Sequence, residues 1–482
     1  MADSNSTSTS SRRISNSNSN SSNGTSSIAS LSQDHLLTIL RLLPVDSILS
    51  FSMACKKFKS IASSDALWES ICRRDWGPTS VDALRHHHRN RNHQIQIPWM
   101  KLYTQVSKMD SVSCYKLSDP TITLTPSQMD LMAYPQSRAS HSLNFVSDCL
   151  VLFGGGYEGG RHLDDTWVAY IGNDCQRMLK WQKVGSGIPS GRFGHTCVEI
   201  GGALVLFGGI DDHGSRLNDT WVGQLARHET LGITLSWKPI DVGPITPPHR
   251  GAHGACCIGN TKMVIHGGIG LNGIRLGDTW VLEFSENFCF GMWYEIVTHP
   301  SPPARSGHTL TCIGEFRTVL FGGRGSEYEV LNDIWLLDYH EDRFKWVQIL
   351  YELQNIPEGV SLPRVGHSAT RILGGRVLIY GGEDSSRHRK DDFWLLDLSV
   401  VPSIRVQPAK LNSKQLVAKM WKGLKAKGYK PKCRSFHRAC ADCSGQYLYV
   451  FGGMVDGLLQ PAEPSGLRFD GELFLVDLVL QM

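Results

Sequence analysis

The sequence predicts a mainly β protein of six repeated four-stranded units behind a small all-helical module. Three observations predict it. Glycine and tryptophan are both abundant, 48 and 13 among 482 residues, as expected of short strands separated by tight turns and packed by large rings. From Arg138 onward one four-part pattern recurs six times. Before it, from Ile28, apolar residues fall at helical spacing instead of alternating.

Composition bounds the rest. The length suits two to four domains, and 41% hydrophobic with 20% charged residues is globular. No run of 18 apolar residues marks a transmembrane helix, and residues 1–27 lack the apolar core of a secretory signal. Thirteen scattered cysteines, an odd number, do not read as a secreted disulfide framework, so a cytoplasmic and/or nuclear location is expected. A net charge of +4 is too small to argue for nucleic acid. Neither a nucleic-acid nor a membrane partner is expected.

Residues 1–27 contain 12 Ser, 5 Asn and 3 Thr and read as a disordered tail. The helical module follows over 28–76. Ser32 is placed to cap a first helix bearing Leu36, Leu37, Leu40 and Leu43, which Pro44 ends. Ile48, Leu49, Phe51 and Met53 belong to a second helix; Phe58, Ile61, Leu67, Trp68, Ile71 and Cys72 continue the series. About 45 residues make a small core, so part of this apolar surface is expected to meet a partner. An extension and linker run over 77–111, and the His- and Arg-rich stretch 85–93 within it reads as a solvated loop.

The repeats occupy 138–482. Each opens with Arg and, three residues on, His: Arg138/His141, Arg192/His195, Arg250/His253, Arg305/His308, Arg364/His367 and Arg434/His437. An apolar run then meets a glycine doublet beginning at Gly154, Gly208, Gly267, Gly322, Gly381 and Gly452, where a Cβ would strike the next unit. An acidic-x-Trp element follows (Asp165, Asp219, Asp278, Asp333, Asp392, with Glu472-Leu-Phe474 in the last). A fourth element has Trp followed three residues on by Val or Ile, as at Trp181, Trp237, Trp293 and Trp346. The sixth unit lacks it. Cys114-Tyr-Lys-Leu117 upstream matches with Cys for Trp, so a strand at about 112–117 is expected to complete that unit and remove two open edges; the β domain therefore runs over 112–482. The fifth unit is long, and a basic amphipathic helix at about 407–432, with Leu416, Val417, Met420, Trp421 and Leu424 on one face, is expected as an insertion.

These motifs resemble two families. The leucine series over 30–44, then Cys55-Lys-Lys-Phe58 and Leu67-Trp68, is similar to an F-box, with Ser32 standing where the family has Pro after Leu. The Gly-Gly repeats with spaced aromatics resemble kelch motifs, which build β-propellers, so six units imply a six-bladed kelch propeller. Together they resemble the plant F-box/kelch-repeat proteins, without the flavin-binding LOV sensor of a related plant group: no Asn-Cys-Arg-Phe-Leu flavin motif occurs. The resemblance implies a substrate receptor of an SCF-type ubiquitin ligase. Leu31, Leu36, Leu37, Leu40, Leu43, Pro44, Ile48 and Leu49 would dock on a Skp-family adaptor and through it on cullin. The propeller would hold a target protein, whose identity the chain does not reveal.

In kelch receptors the opening Arg of each blade and the loop after each doublet border one mouth. Carried over, the mouth holds Arg138, Arg192, Arg250, Arg305, Arg364 and Arg434, with Arg161, Arg216, Arg275, Arg324 and Arg387 in the loops. A guanidinium ring suits carboxylates or phosphates. The competing reading pairs each opening Arg with the recurring Asp of its own unit. No catalytic residues, metal or cofactor are expected, and the chain reads as a non-catalytic subunit. Cys433, His437, Cys440 and Cys443 mimic zinc spacing, but Cys197, Cys257 and Cys312 also follow a repeat His, which makes Cys440 a core residue. Two alternatives remain open: a kelch scaffold with a degenerate F-box, and a metal-dependent kelch enzyme of specifier or oxidase type. The latter rests on Asp384 and His388, with Tyr380 where an iron site would need Glu.

Overall fold

The computed structural model describes residues 28–90, 97–117, 134–171, 179–185, 187–228, 232–285, 287–351, 362–399, 401, 409–411, 414–456 and 467–478. The expected tail over 1–27 lies outside them. The chain divides into two compact units, 1–67 and 68–482.

The first unit is helical: Gln33–Leu42, Val45–Ala54 and Lys56–Ala62 follow one another, and Asp65–Trp76 begins within it. Ser32 caps the first helix, its hydroxyl accepting from the His35 amide. Leu43 and Pro44 are extended and turn the chain into the second helix. Leu36, Leu40, Ile48, Phe58 and Ile61 are buried, and Phe51 stacks on Phe58 with ring centroids 4.1 Å apart.

The second unit carries helices Pro78–Asn90 and Trp99–Ser107 and six antiparallel blades. Of the basic stretch 85–93 expected as a loop, 85–90 instead extend a helix, and 91–93 lie outside the described residues. Blade one comprises Ser142–Val146, Cys149–Phe153, Thr166–Tyr170 and Trp181–Gly185. The next four repeat this order, and the innermost strands of successive blades adjoin one another around a closed ring.

A second ring closes at the backbone. The residue before each repeat His lies at positive φ (Ser140, Gly194, Ala252, Gly307, Gly366 and Phe436, between 53° and 67°). Each bonds the next: Gly194 N–H to Ser140 O, Ala252 to Gly194, Gly307 to Ala252, Gly366 to Gly307, Phe436 to Gly366, and Ser140 back to Phe436, at 2.6–2.9 Å. Both polar groups of all six residues are thus satisfied in a circle around the axis.

Blade six comprises Arg438–Ala441, Tyr447–Phe451, Leu473–Asp477 and, from far upstream, Ser111–Lys116. Cys114 lies opposite Val476, the register position that faces a fourth-strand Trp in the other five blades. The same strand runs parallel to Trp421–Gly428 of blade five, pairing Ser111 with Lys425 and Cys114 with Gly428. Val112, Cys114 and Leu117 are buried by these contacts. Deleting 110–120 is expected to lower the unfolding temperature by on the order of 10 °C, since it removes several fully buried side chains and opens a blade edge. An unchanged calorimetric melting curve would rule out this closure.

The insertion in blade five differs from expectation. Its helix spans only Lys414–Met420; from Trp421 the chain is the fourth strand, with Trp421 opposite Leu396. Trp421-Lys-Gly-Leu424 is therefore the missing Trp-x-x-aliphatic element, with Leu for Val or Ile. Val417 and Met420 do dock in the core, between residues of blades four and five. Ahead of the helix, Ala409–Leu411 pairs in parallel with Arg343–Tyr351 and adds a fifth strand to blade four.

Candidate functional site: an apolar helical face and a propeller mouth

The opening arginines are clamps. Arg138 is fully buried; its Nη1 and Nη2 donate to the two carboxylate oxygens of Asp165 at 2.6 and 3.1 Å, and Nη1 also donates to the Gly154 carbonyl. Arg192, Arg250, Arg305 and Arg364 repeat this with Asp219, Asp278, Asp333 and Asp392. Arg434 donates to Glu472, the acidic residue of the divergent last unit. Each Asp also accepts from the indole N–H two residues on, as Asp165 does from Trp167 at 2.6 Å. Burial opposes the charge on these carboxylates. The guanidinium bonds outweigh it and hold their pKa values below the ordinary 3.8. The six arginines expected at the binding mouth are thus withdrawn from it, each neutralised inside its blade.

The glycine doublet completes the joint. A Cβ on Gly154 would lie 2.9 Å from the Arg192 carbonyl of the next blade, and the Gly155 amide donates to that same carbonyl. Side chains make a further bond between blades. The fourth-strand indoles of Trp237, Trp293 and Trp346 donate to Thr166, Thr220 and Thr279 of the preceding blade. Trp181 and Trp421, whose preceding blades carry Leu473 and Ile334 instead, make no such bond.

What reaches the mouth is a different set. Backbone bridges place His162, Arg216, Arg275, Val330, Arg389 and Phe469 at one equivalent position, at or just ahead of each third strand. In five blades this is the eighth residue after the first glycine of the doublet, a spacing that would have found Arg389 from sequence. Arg216, Arg275 and Arg324 are half-buried here, and Arg161 and Arg387 are exposed on the loops beside them. The charges are unevenly answered. Arg324 pairs with Glu383 at 3.0 Å, and Arg389 with Asp456 at 2.6 Å. Among the described residues Arg216 meets only the Gly214 carbonyl, while Arg275 donates to the Ser306 hydroxyl and lies over the Tyr328 ring, 4.4 Å from its centroid. Leu271, Ile274 and Tyr328 stand exposed around them.

On the helical unit, the residues expected to meet an adaptor divide. Leu36, Leu40 and Ile48 are buried, and Leu31, Leu37 and Leu43 are half-buried; only Pro44 and Leu49 are exposed. Helical periodicity found the face that packs inward. The largest exposed apolar side chains are Leu42 and Met53, at 79% and 80%, with Ile28, Ile39 and Leu49 less so.

The residues weighed for metal chemistry are otherwise engaged. Asp384 accepts from the Ser386 and His388 amides and pairs with Lys390, while Tyr380 is buried against Phe393. His437 bonds the Ser368 hydroxyl. Among the described residues no group of three or more His, Cys, Asp or Glu could hold a metal ion, and no helix is long and apolar enough to cross a membrane.

Six blades joined by Gly-Gly turns and Arg–Asp–Trp clamps define a kelch-repeat β-propeller, here in one chain with a small helical module. Residues 33–74 match the F-box-like family, and 102–315, 231–399 and 317–458 match the KLHDC2/KLHL20/DRC7 Kelch-repeats domain. The chain belongs to the F-box/kelch-repeat family. It is 61% identical to the F-box/kelch-repeat protein At1g51550 of Arabidopsis thaliana, over 95% of this chain and 93% of that protein. Adagio protein 3 of the same plant is 29% identical over 86% of this chain, which spans 60% of that longer protein. A solved structure titled "Structure of YjhT" covers 70% of this chain at a TM-score of 0.49 and 14% identity, and 95% of its own length.

Proposed function

We propose that this protein is the substrate-recognition subunit of an SCF-type ubiquitin ligase, its F-box bound to a Skp-family adaptor and its propeller to a target protein. The observation that carries the reading is the set of exposed apolar side chains, Ile39, Leu42, Leu49 and Met53, on an F-box-like module that shares a chain with a kelch propeller. The departure at Ser32 does not weaken it, because Ser32 performs the cap that starts the first helix. The contribution to ubiquitin transfer is proximity and orientation, with no bond-making side chain. The target is expected at the blade two to four side of the mouth. There Arg216, Arg275 and Tyr328 sit beside exposed Leu271 and Ile274, a surface suited to an acidic segment with an apolar anchor.

In a pulldown, wild-type protein is expected to retain the adaptor, and Leu42→Glu with Met53→Glu to lose at least 10-fold of it with an unchanged melting curve. Leu40→Glu is a poor test, since a buried charge there would unfold the module. Wild-type protein that captures no adaptor would end the receptor reading.

A further inference from the structure

The innermost strands enclose an axial channel of about 240 Å³, lined by first-strand residues of all six blades. At one inward position the blades carry Ser142, Thr196, Gly254, Thr309, Ser368 and Arg438. Three of the hydroxyls bond the imidazole of the following blade: Thr196 with His253, Thr309 with His367, and Ser368 with His437. Arg438 replaces a hydroxyl with a cation. Its Nε donates to the His141 carbonyl at 2.8 Å and Nη1 reaches the His437 carbonyl at 3.4 Å, while Nη2 has no partner among the described residues. No Asp or Glu lines the channel. Arg438 remains charged at neutral pH even though burial lowers its pKa to about 10.

Arg438 is only half-buried and lines the channel, where no carboxylate stands, so an anion or water in that space must answer its charge. The surroundings offer donors. His141, His195 and His308 are buried with neither ring nitrogen bonded, and each neutral imidazole has one N–H to give. The charge of Arg438 acts on His141 and His195 among its neighbours. Size also selects. A volume near 240 Å³ is the share of about eight waters, and the hydrogen-bonded circle of Ser140, Gly194, Ala252, Gly307, Gly366 and Phe436 makes a narrow collar beside it. We propose that the axial channel is a binding site for a small monovalent anion, of halide or formate size, held by Arg438, with the unbonded imidazoles of His195 and His308 also lining the space. The site lies inside the propeller, and no part of the argument depends on adaptor or target binding.

The full chain is crystallised in sodium bromide and the anomalous signal recorded, alongside thermal unfolding in bromide, chloride or formate against gluconate at constant ionic strength. An anomalous peak beside Arg438 is expected, with a saturable rise in unfolding temperature for the three small anions only. Arg438→Ser restores the hydroxyl present at Ser142 and Ser368, so it is expected to fold and to lose both the peak and the anion dependence. No peak in the wild-type channel would overturn the site. So would a peak that persists in Arg438→Ser, or a peak without saturable stabilisation in solution.

Discussion

Lowering the pH from 7 to 5.5 is expected to unfold the propeller. His141, His195, His253, His308, His367 and His437 are buried one per blade, and His266 is buried between blades three and four. Desolvation and, behind it, neighbouring arginines push their pKa values well below 6.5, to about 3 for His266 and His367. In the unfolded chain the same groups take up a proton near pH 6.5. Stability is therefore complete above that pH and falls below it, by about 1.4 kcal/mol per group per pH unit. Seven such groups acting together would consume a typical margin of about 5–15 kcal/mol within roughly one to two units. The paired aspartates, with lowered pKa values, add their loss only below about pH 4. Denaturant titrations followed by tryptophan fluorescence at pH 7.0, 6.5, 6.0 and 5.5 measure this directly. A free energy that stays level across the series would mean that the imidazoles accept protons without unfolding.

Removing one half of a clamp is expected to have the next largest effect, and the effect should be graded. Asp165→Ala leaves Arg138 charged and dry and strips the Trp167 indole of its acceptor, a loss of about 3–5 kcal/mol. Asp278→Ala and Asp333→Ala should follow, their carboxylates being 19% and 20% exposed against 8% for Asp165. Asp219→Ala and Asp392→Ala should cost least, because those side chains are 38% and 36% exposed and water can replace the lost partner. The ranking is read from unfolding free energies of the five variants at pH 7. Losses near zero throughout would return the arginines to the surface and revive them as target contacts.

Much of the propeller was legible because its joints are chemical and repeat: a clamp needs Arg, Asp and Trp at fixed places, and a glycine doublet is demanded wherever the next blade's carbonyl approaches. Cys114 could be aligned for the same reason, since only its register, not its bulk, had to match. Trp421 was misread because Leu416, Val417, Met420, Trp421 and Leu424 fit a helical face whether or not the last two are helical. A Trp followed by Leu three residues on satisfies both periods. The site was less legible. Periodicity reports which face is buried, so it selected Leu36 and Leu40, passed over Leu42, and gave no reason to set Met53 apart from the buried members of its helix. The opening arginines drew attention because they recur, yet recurrence together with Asp is what a structural pair produces. Arg438 occurs once, in a place where other blades have hydroxyls or glycine. No repeat signal can announce such a residue.

The strand Ser111–Lys116 has a consequence for how the protein is made. It leaves the ribosome more than 350 residues before its antiparallel partner Leu473–Asp477, a wait on the order of 20–70 s at ordinary rates of synthesis. Throughout that interval the helical module ahead of it is already complete, while the propeller remains an open arc. Translation halted between Lys116 and Leu473 would release a chain that carries the whole helical module but lacks the third strand of blade six. Under the proposed function, such a product would compete for the adaptor and deliver nothing to it. If the protein is the receptor proposed above, the order of the elements along the chain makes premature termination a dominant-negative lesion and not merely a loss.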